Sequence, residues 1–232
     1  MRSRLTAADL RLVILLLSRG SAQRRADWER RLTLEGPDAL LDEPELLERL
    51  VEVRTMLVPS PALLFYVLVR HTLRRGGFDD RELADYLAAL LLDFGERDRA
   101  WRVDWNDDQQ HRYLVDILAD AEASQPERRF RVLVHLGDYA LWLAGVFPDY
   151  IAARRLRSGG PDVEYYDAMG RRGYSLASEH SAATALGLGD VFRTAAERFP
   201  ALRFALNGLS DRVFFPNVYG PDRLTRELGR SA

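Results

Sequence analysis

The apolar positions of this chain recur at steps of three and four residues along almost its whole length, as at Leu10, Val13, Ile14 and Leu17. That spacing is typical of amphipathic α-helices, whose buried side returns every 3.6 residues. No alternating run of apolar and polar residues is longer than a few positions, so the pattern does not indicate a sheet. We therefore expect an all-α fold, a helical bundle of about nine or ten helices.

Two segments carry apolar side chains around most of their circumference. The first covers residues 62–75 and follows Ser60 and Pro61, which are typical of an N-cap and of a first helical residue. The second covers residues 127–147 and follows Pro126. Because a helix that is apolar on all sides must be surrounded by other elements, we expect these two helices at the centre of the core.

The length of 232 residues suits one large domain or two small ones. No linker separates two halves cleanly, so we interpret 1–232 as a single compact multi-helix domain. The best candidate for a domain boundary lies near Pro59 and would make 1–58 an N-terminal helical subdomain. We interpret 211–232 as a tail that docks on the body of the protein, because it is rich in aromatic residues.

Composition narrows the possible partners and compartments. The 33 basic residues, all Arg, nearly balance 35 acidic ones, so we expect no nucleic-acid partner. The apolar run 12–17 is too short and too poorly flanked for a signal peptide, and no stretch approaches the ~20 residues of a membrane span. Cys is absent, which excludes thiolate metal sites and fits a reducing compartment. We expect a soluble, cytoplasmic protein, and the exclusive use of Arg suggests a GC-rich, bacterial genome.

Charge is distributed in blocks. Residues 1–35 hold eight Arg and four acidic residues, whereas residues 36–53 hold one Arg and six acidic residues. Residues 79–98 are again acidic, with two Arg and seven acidic residues. Adjacent blocks of opposite sign can pair within the fold, or they can form a polar surface for a partner. We favour internal pairing, because modest ion pairs are the usual fate of such charges.

The most informative chemical pattern lies in the second central helix, where His135, Asp138, Tyr139 and Trp142 are spaced to share one face. Asp138 could fix the tautomer of the His135 imidazole, or both side chains could bind a metal. The simpler interpretation is a structural Asp–His hydrogen bond, since buried polar groups are usually satisfied. His71, near the end of the first central helix, could line the same cavity, or it could interact with its helix C-terminus.

Two further histidines lie near acidic residues. Asp108 and His111 have the acid-x-x-His spacing of carboxylate-bridged di-iron bundles, but those bundles need the motif twice and the sequence has it once. Glu179 and His180 lie among serines, which could suggest a nucleophilic triad, but no G-x-S-x-G elbow is present. We therefore predict no cofactor and keep a metal only as a minor alternative.

Arg171 and Arg172 lie between two glycines and close to Tyr166 and Tyr174. Two guanidinium groups among tyrosines could bind a phosphate or a carboxylate. The alternatives are local ion pairs for the arginines and close helix packing for the glycines.

The first functional hypothesis is a non-catalytic interaction or regulatory protein, such as a subunit of a larger assembly. It rests on the missing catalytic signatures, the charge blocks and the aromatic tail. It implies a protein partner or self-association, through an exposed apolar or Arg–aromatic patch. The candidate residues in the tail are Phe214, Phe215 and Tyr219.

The alternative hypothesis is a helical enzyme, or a protein that binds a ligand or a metal. Its pocket would lie between the two central helices. The residues lining it would be His135, Asp138 and Tyr139, joined by His71 or His180.

Overall fold

The computed structural model describes residues 1–53, 59–96 and 98–211, and every regular element within them is helical. They form thirteen α-helices and two short 3-10 helices, which confirms the all-α class. The predicted count of about nine or ten helices is too low. Helices as short as Asp38–Leu41 and Ser181–Ala185 show no apolar period that could reveal them.

Backbone contacts divide the chain into two compact units, with the boundary between Asp93 and Phe94. The candidate domain boundary that the sequence indicates lies near Pro59 instead. The first unit extends from Met1 to Asp93 and so includes that position. The single-domain interpretation itself stays a prediction.

The first unit is built around one buried helix. This helix starts as the sequence predicts, since the Ser60 hydroxyl accepts a 3.1 Å hydrogen bond from the Leu63 amide and Pro61 is the first helical residue. Its buried residues lie on all sides, which confirms residues 62–75 as a central apolar helix. The helices of this part of the chain are α1 Ala7–Ser18, α2 Ala22–Glu35, α3 Asp38–Leu41, α4 Pro44–Val53, α5 Pro61–Arg75 and α6 Arg81–Phe94.

The basic and acidic blocks of the first unit pair with each other. Arg19 contacts Glu45 at 2.5 Å and Arg2 contacts Asp38 at 3.0 Å. Both pairs are partly exposed, so each contributes at most about 1 kcal/mol. Internal pairing, which the sequence favours, is thus observed between residues 1–35 and 36–53.

The second unit is also built around one helix. Thirteen residues of α8 are buried, which confirms the predicted central helix at 127–147. It packs against α7, α9, α10 and α13. The helices of this unit are α7 Leu114–Ala123, α8 Pro126–Val146, α9 Pro148–Ser158, α10 Val163–Ser178, α11 Ser181–Ala185, α12 Gly189–Glu197 and α13 Phe199–Leu209.

Glycines allow α8 and α10 to approach each other closely. A Cβ atom at Gly173 would lie 2.7 Å from the Gly137 amide nitrogen, and one at Gly170 would lie 2.2 Å from the Phe199 ring. A side chain at either position would therefore clash with atoms that are held in place. Close helix packing, one of the alternatives that the sequence left open for these glycines, is what the structure contains.

Candidate functional site

His135 is enclosed by aromatic rings rather than by polar groups. Its ring stacks on Tyr139 with centroids 6.0 Å apart and meets Phe94 at 5.6 Å, while Trp142 extends the stack beyond Tyr139. The Nε2 atom is buried and has no hydrogen-bond partner among the described residues. Burial, reinforced by the positive charge of Arg99, lowers the pKa of His135 to about 3. The imidazole is therefore neutral at physiological pH.

Asp138 is directed toward α10 and not toward the ring stack. Its Oδ1 atom accepts a 2.8 Å hydrogen bond from the hydroxyl of Tyr174. The interpretation of Asp138 as the hydrogen-bond partner of His135 therefore finds no support. His135, Asp138 and Tyr139 share a helix, but their polar atoms do not converge on one point.

His71 has a structural role in the first unit. It is buried, and its Nε2 atom lies 2.9 Å from the carbonyl oxygen of Leu41. Burial lowers the pKa of His71, so the ring is neutral. Its Nε2–H group donates a hydrogen bond to that carbonyl and links α5 to α3. Because His135 belongs to the second unit, neither unit contains both histidines.

A network of ion pairs lies next to His71, and the sequence analysis did not predict it. Arg70 is buried and donates to both carboxylate oxygens of Asp42, at 2.7 and 3.0 Å, while Arg81 donates to Asp42 at 2.7 Å. Partial burial opposes ionisation, but the two guanidinium groups lower the pKa of Asp42 to about 2. No local spacing could reveal a pair whose members are 28 residues apart.

A second network surrounds Asp120 in the other unit. Its carboxylate is 3.1 Å from Nε2 of His111 and 2.8 Å from Nη2 of Arg128, and it accepts a 2.9 Å hydrogen bond from Ser124. Although partial burial opposes it, the bonds from Arg128 and Ser124 lower the pKa of Asp120. The serine and the histidine both bind the carboxylate and not each other, which is not the arrangement of an activated nucleophile.

The segment before α7 is irregular, where the acid-x-x-His spacing would need a helix. The His111 amide donates a 2.7 Å hydrogen bond to the carbonyl oxygen of Trp101, and α7 begins only at Leu114. Asp108 is exposed, whereas the ring of His111 is buried against Asp120. Among the described residues, no group of three or more His, Cys, Asp or Glu side chains could hold a metal ion.

His180 lines an open pocket of about 270 Å³ between the start of α8 and the end of α10. Its Nδ1 atom accepts a 3.2 Å hydrogen bond from the Ala182 amide, and its ring packs on Phe130 with centroids 5.2 Å apart. Arg129 and Glu179 line the same pocket. The backbone hydrogen bond occupies the nitrogen that a triad partner would need.

Arg171 and Arg172 lie on the exposed side of α10, whereas Tyr166 and Tyr174 are buried on the other side. Arg172 is 3.6 Å from Glu122, a local ion pair. The structure therefore does not assemble the anion site that these four residues suggested.

A partly exposed cluster that we call the Arg–Tyr surface consists of Arg112, Tyr113, Tyr150 and Arg154. Tyr113 is 53 % exposed and Tyr150 is 49 % exposed. The guanidinium carbon of Arg154 lies 5.1 Å from the centroid of the Tyr113 ring, and that of Arg112 lies 4.8 Å from the ring of Trp101. Such distances fall within the range of cation–π interactions.

Two buried tyrosines form the floor of this surface. The hydroxyl of Tyr139 lies 3.4 Å from the carbonyl oxygen of Arg112. Burial raises the pKa of Tyr139 to about 12 and also raises that of Tyr166, and both hydroxyls feel the charge of Arg154 and the hydroxyl of Tyr150. Both phenols therefore stay protonated at neutral pH, and that of Tyr139 donates its proton to the Arg112 carbonyl oxygen.

Sequence reasoning missed the Arg–Tyr surface as a cluster. Tyr150 and Arg154 are four residues apart on α9 and so share a face, which is the one local signal. Tyr113, Tyr139 and Tyr166 come from three other segments, and only tertiary packing brings them together. The tail residues that the sequence proposed instead, Phe214, Phe215 and Tyr219, lie outside the described residues.

Comparison with protein-family models, with curated proteins and with solved structures found no match to this chain. Within the described part of the chain, no single helix is long and apolar enough to cross a membrane. The pair α8 and α9, bent by 90°, passes the same test on length and composition. This is weak evidence, because the buried core helices of soluble proteins pass the same test and thirteen residues of α8 are buried.

Proposed function

We propose that this protein is a non-catalytic interaction protein whose second unit binds a protein partner through the Arg–Tyr surface. The observation that carries the proposal is the guanidinium of Arg154 stacked on the half-exposed ring of Tyr113, beside the half-exposed Tyr150. Tyrosine, tryptophan and arginine are the residue types that dominate the binding energy of protein interfaces. A partner would bury two aromatic rings that the folded chain leaves half in water.

The charges of this surface favour an acidic partner segment. Arg112 and Arg154 stack on aromatic rings and make no ion pair with a described residue. Other arginines of the same unit are bound to carboxylates, as Arg203 is to Asp167 at 2.8 Å. A guanidinium without a carboxylate of its own can take one from a partner through two parallel hydrogen bonds.

The surface is also organised before binding. Stacking on Tyr113 restricts the rotamers of Arg154, so less side-chain entropy is lost when a partner binds. The buried hydroxyls of Tyr139 and Tyr166 are fixed beneath it by α8 and α10. These features distinguish the Arg–Tyr surface from isolated exposed apolar residues such as Leu156.

We prefer this role to the alternative of an enzyme or a metal-binding protein with a His/Asp/Tyr pocket. His135 is sealed among aromatic rings, Asp138 is bound to Tyr174, and Tyr139 contributes to the Arg–Tyr surface. No observation on these three residues favours a shared reaction centre.

The test is quantitative co-purification from the native host of the wild-type chain, the double variant Tyr150→Ala/Arg154→Gln, and a control. The control is Leu156→Ala/Arg157→Gln, which changes two exposed residues of the same helix. Loss of an interface anchor costs about 2 kcal/mol or more, which is roughly thirtyfold in affinity, so the double variant should weaken binding by at least about thirtyfold.

We expect a partner with an acidic segment that the wild-type and control chains retain and that the double variant loses. If all three chains retain the same proteins in the same amounts, the Arg–Tyr surface is not the binding site.

A further inference from the structure

The pocket beside His180 is separate in its residues from the Arg–Tyr surface and raises a different question. It lies between the start of α8 and the end of α10, with Leu133 and Leu176 as apolar walls. Its volume of about 270 Å³ is just below the ~300–1,000 Å³ of sites for drug-sized ligands. An occupant would therefore be a small molecule with an apolar body.

Opposite charges line this pocket without neutralising each other. Arg129 and Glu179 both contribute to its wall, and both are exposed. Neither forms an ion pair with a described residue, whereas the preceding residue, Arg128, binds Asp107 and Asp120. The pocket thus offers one free guanidinium and one free carboxylate next to apolar walls.

The imidazole of His180 adds a donor of fixed position. Because its Nδ1 atom accepts from the Ala182 amide, the neutral ring carries its proton on Nε2. The ring is held in place by Phe130, 5.2 Å away. The Nε2–H group has no partner among the described residues and can donate to an anionic oxygen.

We infer that this pocket binds a small aliphatic zwitterion of the amino-acid type. Arg129 and the Nε2–H group of His180 bind its carboxylate, and Glu179 binds its ammonium group. Leu133 and Leu176 contact its apolar side chain. Both charges of such a ligand find a counter-charge, whereas a simple anion would face Glu179 and a simple cation would face Arg129.

The experiment is an NMR titration of the full chain with three probes, in which the amide signals of Leu176, Glu179 and His180 are followed. The probes are leucine, 4-methylpentanoate, which lacks the ammonium group, and 3-methylbutylamine, which lacks the carboxylate. We expect saturable shifts with leucine and binding at least tenfold weaker for each of the other two probes.

Three exposed substitutions, none of which touches the core, test the assignment of charges. Arg129→Gln should weaken the binding of leucine and of 4-methylpentanoate at least tenfold, and it should strengthen the binding of 3-methylbutylamine, which no longer faces a like charge. Glu179→Gln should weaken the binding of leucine and of 3-methylbutylamine, and it should strengthen the binding of 4-methylpentanoate for the same reason. Arg171→Gln, an exposed arginine that does not line the pocket, should bind all three probes as the wild type does.

Two results would overturn the inference. One is the absence of saturable shifts up to the solubility limit of leucine. The other is equal binding of leucine to the wild type, Arg129→Gln and Glu179→Gln.

Discussion

His135 and Asp42 are both poorly exposed ionisable residues, but their surroundings have opposite effects on their charge. Asp42 is surrounded by donors from Arg70 and Arg81 and stays ionised, with its pKa lowered to about 2. His135 is surrounded by aromatic rings and stays neutral, with its pKa lowered to about 3. At the scale of single residues, the charge state of an ionisable side chain depends on the groups that contact it, and not on its chemical type alone.

Neutral, buried His135 should make the stability of the protein depend on pH. An unfolded histidine binds a proton below about pH 6.5, whereas the folded one binds it only near pH 3. Between these values the unfolded state holds one more proton, so the free energy of unfolding falls as the pH falls. The slope for one such residue is about 1.4 kcal/mol per pH unit between pH 6 and pH 4.

The variant His135→Phe should have a correspondingly shallower slope than the wild type in urea unfolding at a series of pH values. Trp142→Phe, which trims the same ring stack without removing a titratable group, should keep the wild-type slope. An unchanged slope in His135→Phe would show that this residue is not buried in its neutral form.

At the scale of elements, α8 and α10 can cross closely because the residues at their contact include glycines, which have no side chain. Gly137, Gly170 and Gly173 lie at this contact, and the bond between Tyr174 and Asp138 joins the same two helices. The positions of Tyr139 on α8 and of Tyr166 on α10 follow from it. The floor of the Arg–Tyr surface therefore depends on how closely these helices pack.

Gly173→Ala should destabilise the second unit. The new Cβ atom would lie 2.7 Å from one backbone atom and 2.8 Å from another, and neither can rotate away, so we expect a loss of about 1–3 kcal/mol. Gly189→Ala is the matched control, because its Cβ atom would lie 3.8 Å from the nearest neighbour and alanine favours a helix. Thermal unfolding followed by circular dichroism measures both variants, and equal melting temperatures would contradict the close packing.

The sequence predicts a helix well where its apolar period and its capping residues can be recognised from neighbouring residues alone. The apolar runs of α5 and α8 and the cap at Ser60 need only neighbouring residues, and the structure has them as predicted. The division after Asp93 and the irregular segment before Leu114 depend on contacts between distant residues. For the same reason, the spacing of His135 and Asp138 predicted a shared face but not their different partners.

At the scale of the whole molecule, two features of the second unit are open to solvent and differ from the charge blocks of the first unit. The basic and acidic blocks of the first unit pair with each other. In the Arg–Tyr surface and in the pocket beside His180, arginines lie next to apolar or aromatic groups without an ion pair to a described residue. For these reasons we propose a binding role for the second unit.

Site-specific photo-crosslinking in the native host shows whether the Arg–Tyr surface contacts another protein. Tyr113 or, as a control, Leu156 is replaced by p-benzoylphenylalanine; Leu156 is 84 % exposed and lies outside the surface. We expect irradiation to yield a discrete adduct of higher mass from position 113 and none from position 156. No adduct at position 113, or the same adducts at both positions, would show that the Arg–Tyr surface does not bind a protein partner.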